Sequence, residues 1–279
     1  MIVAGAPTDR HPSAALGEGR VEAAAPIRLG ITPGKPPLQL RLGHASAAVA
    51  GKANEDFYGV VTPAQEPQVL ARGVAVAIAD GVSATGEGRL ASETTVKSLL
   101  RDYYGTPPGW GIPRSLDKLL RATNDWLLAL NERQPDRDGA VSTLSMVLFR
   151  GNGYYLAHVG DTRVYRWRRD VFKQLTSDHT WRRSDMRHVL KRAVGLDSHL
   201  VVDYTDGELL EGDVFVLASD GIWEVLGDHA MRETLAQAPD VGTAARRLVE
   251  RSIENQVKYM GRNDATAVVV AVEASSPAG

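Results

Sequence analysis

Five acids in this chain sit where structure alone gives little reason to place them. Asp80 and Asp220 each end an apolar run and precede glycine, in AIADG and LASDG. Asp161 lies in AHVGDTR, and Glu55 and Asp56 follow Asn54. An Asp-Gly pair after a strand is often only a turn. Two such pairs, with further acids at other strand ends, make a shared role the better reading. Carboxylates that converge repel one another unless cations lie between them. With 7 His and no Cys in the chain, such a set selects hard ions, Mg²⁺ or Mn²⁺, over Zn²⁺. Two such ions about 4 Å apart lower the pKa of a shared water and polarise a phosphoryl oxygen. Hydroxide then attacks phosphorus without a protein nucleophile, and the absence of cysteine also excludes a thiolate nucleophile and a disulfide scaffold.

The elements that must position these acids are strands interrupted by helices. Residues 1–36 are rich in Ala, Pro and Gly and read as a flexible tail ending near Pro36-Pro37. Leu38–Val49 alternates apolar and polar residues, and Gly73–Ala79 is a short buried strand running into Asp80. Helices are predicted over Arg89–Tyr104, over Pro113–Arg133 and over Val241–Val257, the last with Asp240 as N-cap. In the second of these, Leu116, Leu119, Leu120, Thr123, Trp126, Leu127 and Leu130 share the core face. Val141–Phe149, Tyr154–Val159 and Arg163–Trp167 form a meander. Ser184–Arg192 reads as a short helix, and Val201–Tyr204, Val214–Ala218 and Thr266–Val272 as strands. Antiparallel runs with helices inserted favour an α+β fold of two packed antiparallel sheets with helices outside.

The bulk numbers fit a soluble globular chain: 279 residues, 43% hydrophobic, 24% charged, net charge −2. No basic field points to nucleic acid. No apolar run reaches the roughly 18 residues of a membrane span. No secretory leader is evident, and a cytoplasmic location is the default expectation.

Eight motifs stand in one order: NEDF (54–57), ADGVSATGEGRLAS (79–92), STLSMV (142–147), AHVGDTRVYR (157–166), LTSDHTW (175–181), RAVGLD (192–197), LASDGIW (217–223) and NDATAVVV (263–270). In this order the chain resembles the protein phosphatase 2C (PPM) family of metal-dependent serine/threonine phosphatases, over about residues 40–273. LTSDHTWRRSDMRHVLKRAVGLD looks especially like the phosphatase half of bacterial bifunctional kinase–phosphatase proteins. The resemblance implies one domain over 37–279, an αββα sandwich with the metal centre in a cleft between the sheets. It implies two, and with Asp161 three, Mn²⁺ or Mg²⁺ ions. Asp80 would bridge two ions, assisted by the Gly81 carbonyl, and Asp220 would bind one; these two carry the catalysis. Glu55 and Asp56 would hold a metal or its waters. The substrate would be a phosphorylated protein, in opposition to a serine/threonine kinase.

Two positions depart from the family pattern. Gly51 stands where the family has a phosphate-gripping Arg, leaving the adjacent Lys52 as a candidate phosphate-binding residue. The terminal Asp-Asn pair is exchanged to Asn263-Asp264, so that either Asn263 or Asp264 is the last ligand. These departures favour a pseudophosphatase that keeps the fold as a binding or sensing module; the retained Asp80, Asp161 and Asp220 favour the enzyme. A two-metal phosphodiesterase shares the ion logic but not the ordered motifs. His158 reads as a buried, satisfied histidine. His179 reads as a turn stabiliser or a proton donor to the leaving oxygen. Arg182, Arg183, Arg187, Lys191 and Arg192 read as a solvated face or a landing surface for acidic phosphopeptides.

Overall fold

The computed structural model describes residues 26–30, 32–49, 53–62, 71–82, 87–133, 139–181, 189–259 and 263–275. Twelve strands are described: β1 Ile27–Arg28, β2 Leu38–Ala47, β3 Asp56–Val61, β4 Val74–Val82, β5 Val141–Ser142, β6 Leu144–Arg150, β7 Gly153–Val159, β8 Arg163–Arg168, β9 Val171–Gln174, β10 Asp203–Glu208, β11 Val214–Ala218 and β12 Ala265–Ala274. Four helices accompany them: α1 Gly88–Tyr103, α2 Ile112–Glu132, α3 Asp220–Gln237 and α4 Val241–Tyr259. One sheet runs β1-β2-β12-β11-β8-β9 and the other β10-β7-β6-β4-β3, with β5 on the end of β4. Every strand pair is antiparallel, as the sequence pattern predicts.

The pleat sorts the core into three layers. Along β4, Val74, Val76 and Ile78 face the other sheet and, with Phe149 of the neighbouring β6, pack in one layer with Leu40, Phe215, Val268 and Val270. The alternating Ala75, Ala77 and Ala79 face outward beneath Val96, Leu99 and Leu100 of α1 and Leu116 and Leu120 of α2. On β11, Phe215 and Leu217 point inward, while Val216 and Ala218 lie under Ala245 and Leu248 of α4. Both faces of each central strand are covered, which is why β4 reads as an unbroken apolar run.

Close approach of helix to sheet depends on missing side chains. A Cβ on Gly59 would lie 2.5 Å from Leu100 Cδ1, and one on Gly43 would lie 2.3 Å from the Val241 carbonyl carbon and oxygen. α4 therefore starts directly against β2. Asp240 caps it as the sequence predicts, accepting from the Thr243 amide at 2.8 Å and the Thr243 hydroxyl at 2.8 Å.

Several expectations are corrected. The fold begins before Pro36: Ile27 and Arg28 pair with Leu40 and Gln39, and Leu29 is buried. Two paired residues are too few to show a period, so this edge strand escapes pattern reading. Residues 1–25 of the expected tail lie outside the described residues. Trp126 is 48% exposed, off the face formed by Leu116, Leu120 and Leu127, because it stands about 100° around the helix from Leu127. Of the expected Ser184–Arg192 helix, 184–188 lie outside the described residues, and 189–192 are not helical, with Leu190 bridged to Thr180. The strand expected at Val201 starts at Asp203 and is mostly exposed. α3 was not expected. Gly227, at φ 69° and ψ 166°, splits it into two pieces, each too short for a 3.6-residue period to emerge.

Gly43→Ala sets the new methyl against main-chain atoms of α4, which cannot rotate away. It is expected to lower unfolding stability by about 1–3 kcal/mol, read from urea melts. Gly109→Ala, with no atom within 4 Å of the new Cβ, is the control expected to leave the midpoint unchanged.

Candidate metal centre

All the acids singled out above emerge at one end of the sandwich, and strand register brings them there. Asp56 opens β3 directly opposite Asp80 near the end of β4. β11 and β12 pair as far as Ala218 and Ala267, so Asp220 emerges beside Asn263 and Asp264, with the Ser219 amide on the Thr266 carbonyl at 3.0 Å. The two sheets are tied at this end by Ser219 Oγ, which donates to Asp56 Oδ2 at 2.7 Å. Asp161 follows Gly160 in the connection where the chain leaves β7 in one sheet for β8 in the other, so the expected meander breaks at this point.

Main-chain bonds fix the individual acids. Asp80 donates its amide to Thr143 Oγ1 at 2.7 Å and accepts the Thr143 amide on its carbonyl at 2.9 Å. Two glycines meet where α1 begins: a Cβ on Gly81 would lie 1.8 Å from Gly88 O, and one on Gly88 would lie 2.3 Å from Gly81 O. Glu55 holds this junction, its Oε1 accepting from Gly88 N at 3.0 Å and its carbonyl from Ser92 Oγ at 2.6 Å. A carboxylate at a helix N-terminus is favourable in its own right, so Glu55 has a structural task beside the one the motif implies.

The exchanged pair is divided between two directions, as the pleat requires. Asn263 Nδ2 donates to Asp220 Oδ2 at 2.7 Å. Asp264 turns the other way, its Oδ1 and Oδ2 accepting from the Val49 and Glu55 amides at 2.9 and 2.7 Å. It anchors both ends of the segment that contains Gly51 and Lys52, which themselves lie outside the described residues.

The electrostatics are those of crowded like charges. Burial raises Asp80 well above the usual carboxylate range, and Asp220, Asp56, Asp161 and Asp264 raise it further. Burial, then Asp161 and Asp56, does the same to Asp220. Asp56, 1% exposed, is pushed up to about 7, mainly by burial and against the pull of Ser219. Asp161 is raised to about 6 by burial and then by Asp178. Among the described residues Asp56 Oδ1 is buried without a hydrogen-bond partner. An orphaned carboxylate oxygen among mutually repelling acids is what hard cations would satisfy. Among the described residues no three acids or histidines close on one point as a ready cage. This suits ions that take one or two carboxylates and keep several waters.

The profile of the family described as Protein phosphatase 2C matches residues 45–259. The chain belongs to the protein phosphatase 2C family. It is 31% identical over 229 residues to the serine/threonine protein phosphatase PstP of Mycobacterium tuberculosis, an alignment covering 76% of this chain and 43% of PstP. The chain thus spans less than half the length of that relative. With the serine/threonine phosphatase stp of Listeria innocua it shares 26% identity over 235 residues, covering 78% of this chain and 89% of the relative. Among solved structures, the catalytic domain of PstP in complex with two manganese ions superposes with TM-score 0.68 at 30% identity, over 85% of this chain and 99% of that one. The PPM Ser-Thr phosphatase MsPP of Mycobacterium smegmatis, in complex with cacodylate, gives 0.66 at 26% identity, over 84% and 98%.

In this phosphatase 2C domain the two histidines are both engaged. His158, 1% exposed, is satisfied by Ser145 Oγ at 2.9 Å and the Ser177 carbonyl at 3.1 Å, as the sequence reading expects. His179 meets Gly160 N through Nδ1 and Asp203 through Nε2, which leaves no nitrogen for a leaving group. Of the basic cluster, Arg182, Arg183 and Arg187 lie outside the described residues. Lys191 Nζ lies over the Trp181 ring and Arg192 is spent on Asp203. Trp223, whose Nε1 donates to the Asp161 carbonyl at 3.0 Å, was missed by sequence reading. Its place one turn past Asp220 was the available signal.

The raised acids fix a sign for stability. A folded state that holds a proton at a pH where the unfolded chain has lost it becomes less stable as pH rises, by about 1.4 kcal/mol per pH unit per proton. Asp56, with 3.8 as its ordinary value and about 7 in the fold, does this between those limits. His158, lowered to about 4 by burial, and His44, also lowered by burial, act in the opposite sense. In chelator, wild type is therefore expected to lose stability relative to Asp56→Asn as pH rises from about 4 to 7, measured by urea melts. A pH-independent difference between the two would remove the burial argument.

Proposed function

We propose that this chain is a metal-dependent protein phosphatase that hydrolyses phosphoserine and phosphothreonine in proteins. The observation that carries the reading is that Asp56, Asp80, Asp161 and Asp220 emerge at one end of the sandwich, each raised first by burial and then by nearby acids. Asp80 and Asp220 would hold the Mn²⁺ or Mg²⁺ ions, with the Gly81 carbonyl as a further oxygen donor, and Asp56 and Asp161 would complete the set. The chemistry that such ions supply is polarisation of a phosphoryl oxygen and a water of lowered pKa. The chain's own part is to present fixed negative charge on rigid strand ends, so that little reorganisation remains for the reaction.

Asn263 is the better candidate for the last ligand position, since its amide already rests on Asp220. Asp264 spends both oxygens on the loop. A neutral amide in place of a carboxylate lowers the negative charge facing the ions. Lys52 remains a candidate for the phosphate, as a point charge without the bidentate fork of an arginine. The intact acid cluster supports an enzyme over a non-catalytic module.

No described helix is long and apolar enough to cross a membrane. The proposed setting is the cytoplasm, opposing a serine/threonine kinase.

The test is Mn²⁺-dependent release of phosphate from a phosphothreonine peptide. Asp80→Asn and Asp220→Asn are each expected to lower kcat/KM by about 10²-fold or more, the scale of several kcal/mol of lost charge stabilisation. Asn263→Asp is expected to lower the Mn²⁺ needed for half-maximal rate by about tenfold, and Asp264→Asn to leave that value near wild type. Full turnover in excess chelator, or wild-type activity in Asp80→Asn, contradicts the reading.

A further inference from the structure

The connection from β7 to β8 that carries Asp161 is pinned from behind. Gly160 sits at φ 104° and is held in both directions by one histidine. Its N–H donates to His179 Nδ1 at 3.1 Å, and its carbonyl accepts the His179 amide at 2.7 Å. A backbone N–H only donates, so Nδ1 carries no proton and Nε2 does. Nε2 then donates to Asp203 Oδ2 at 3.0 Å, while Arg192 Nη1 holds Asp203 Oδ1 at 3.0 Å. The histidine is 7% exposed, which shields its two bonds with Gly160 from water, while Asp203 and Arg192 stand at the surface.

The other face of this connection is held as firmly. Trp223 Nε1 bonds the Asp161 carbonyl, and the Arg163 guanidinium stacks 3.4 Å from the centre of the Trp223 ring. Arg163 is fixed in turn by Asp178, through Nε at 2.9 Å and Nη2 at 2.6 Å. A glycine in the left-handed region followed by an acid has wide freedom. These bonds remove it, and a carboxylate serves an ion only when it is held to within about half an ångström.

We infer that His179 is a positioning residue for Asp161, acting through the Gly160 amide, with Asp203 setting its tautomer and Trp223 bracing the opposite face. The inference rests on reading Asp161 as a metal ligand, and the experiment separates the two.

Chelator-stripped protein is titrated with Mn²⁺ by calorimetry, and the binding step that Asp161→Asn removes is identified first. In His179→Phe, which keeps ring volume but loses the acceptor, that step is expected to weaken at least tenfold while the remaining steps change less than about twofold. His179→Asn places an oxygen near the Nδ1 position and is expected to recover it to within about threefold, which a general loss of packing would not do. If His179→Phe fails to fold, Trp223→Phe decides: it is expected to weaken the same step selectively. A wild-type isotherm in folded His179→Phe, equal weakening of every step, no recovery in His179→Asn, or no change in Trp223→Phe when that variant decides, overturns the inference. If Asp161→Asn removes no step, the ligand reading falls and the inference with it.

Discussion

Burial, and then mutual repulsion, of carboxylates governs this end of the molecule. Asp56, Asp80, Asp161 and Asp220 each raise, or are raised by, at least one of the others. An isolated chain would relieve that repulsion by moving apart. Here it cannot, because each acid is carried by an element whose position is fixed far from the site. β3 and β4 lock Asp56 against Asp80 through a six-residue register ending at Val61 and Ala75. β11 is paired on both sides, by β8 and β12, and delivers Asp220. The apolar layer between the sheets, from Leu40 to Val272, supplies the free energy that keeps these strand ends together.

The same scaffold explains why small residues recur beside the acids. Gly81 and Gly88 touch backbone to backbone, and Gly221 would place a Cβ 2.0 Å from the Asp264 carbonyl. A side chain at any of them would push α1 or α3 away and widen the acid set. Ser219 and Thr143, buried and bonded to Asp56 and Asp80, orient what the glycines bring close. An acid set held this way has its charge arranged before any substrate arrives, and preorganisation of that kind is where such sites gain most of their effect.

Much of this was legible in the sequence because strand, acid and glycine follow one another directly. AIADG and LASDG announce a buried strand with an acid near its end: Asp80 lies two residues before the end of β4, and Asp220 opens α3 two residues after β11. Pleat direction was not legible at Asn263-Asp264, because successive residues point to opposite sides and only the contacts with Asp220 and with the Val49 and Glu55 amides decide which faces where. β1 and α3 escaped for a simpler reason: two paired residues and a helix broken at Gly227 carry too little period. Trp126 misled because an aromatic at nearly helical spacing resembles a core residue until the helix is docked. The double engagement of His179 depends on Gly160 and Asp203, 19 and 24 residues away, and no local pattern encodes it.

The most direct measurement is anomalous scattering at the manganese edge from crystals equilibrated with Mn²⁺. Two peaks about 4 Å apart are expected between the Asp80 and Asp220 carboxylates, with Asp56 Oδ1 turned toward them. Saturating Mn²⁺ that leaves this cleft without peaks, or places them only at surface acids, would contradict the assignment of the site.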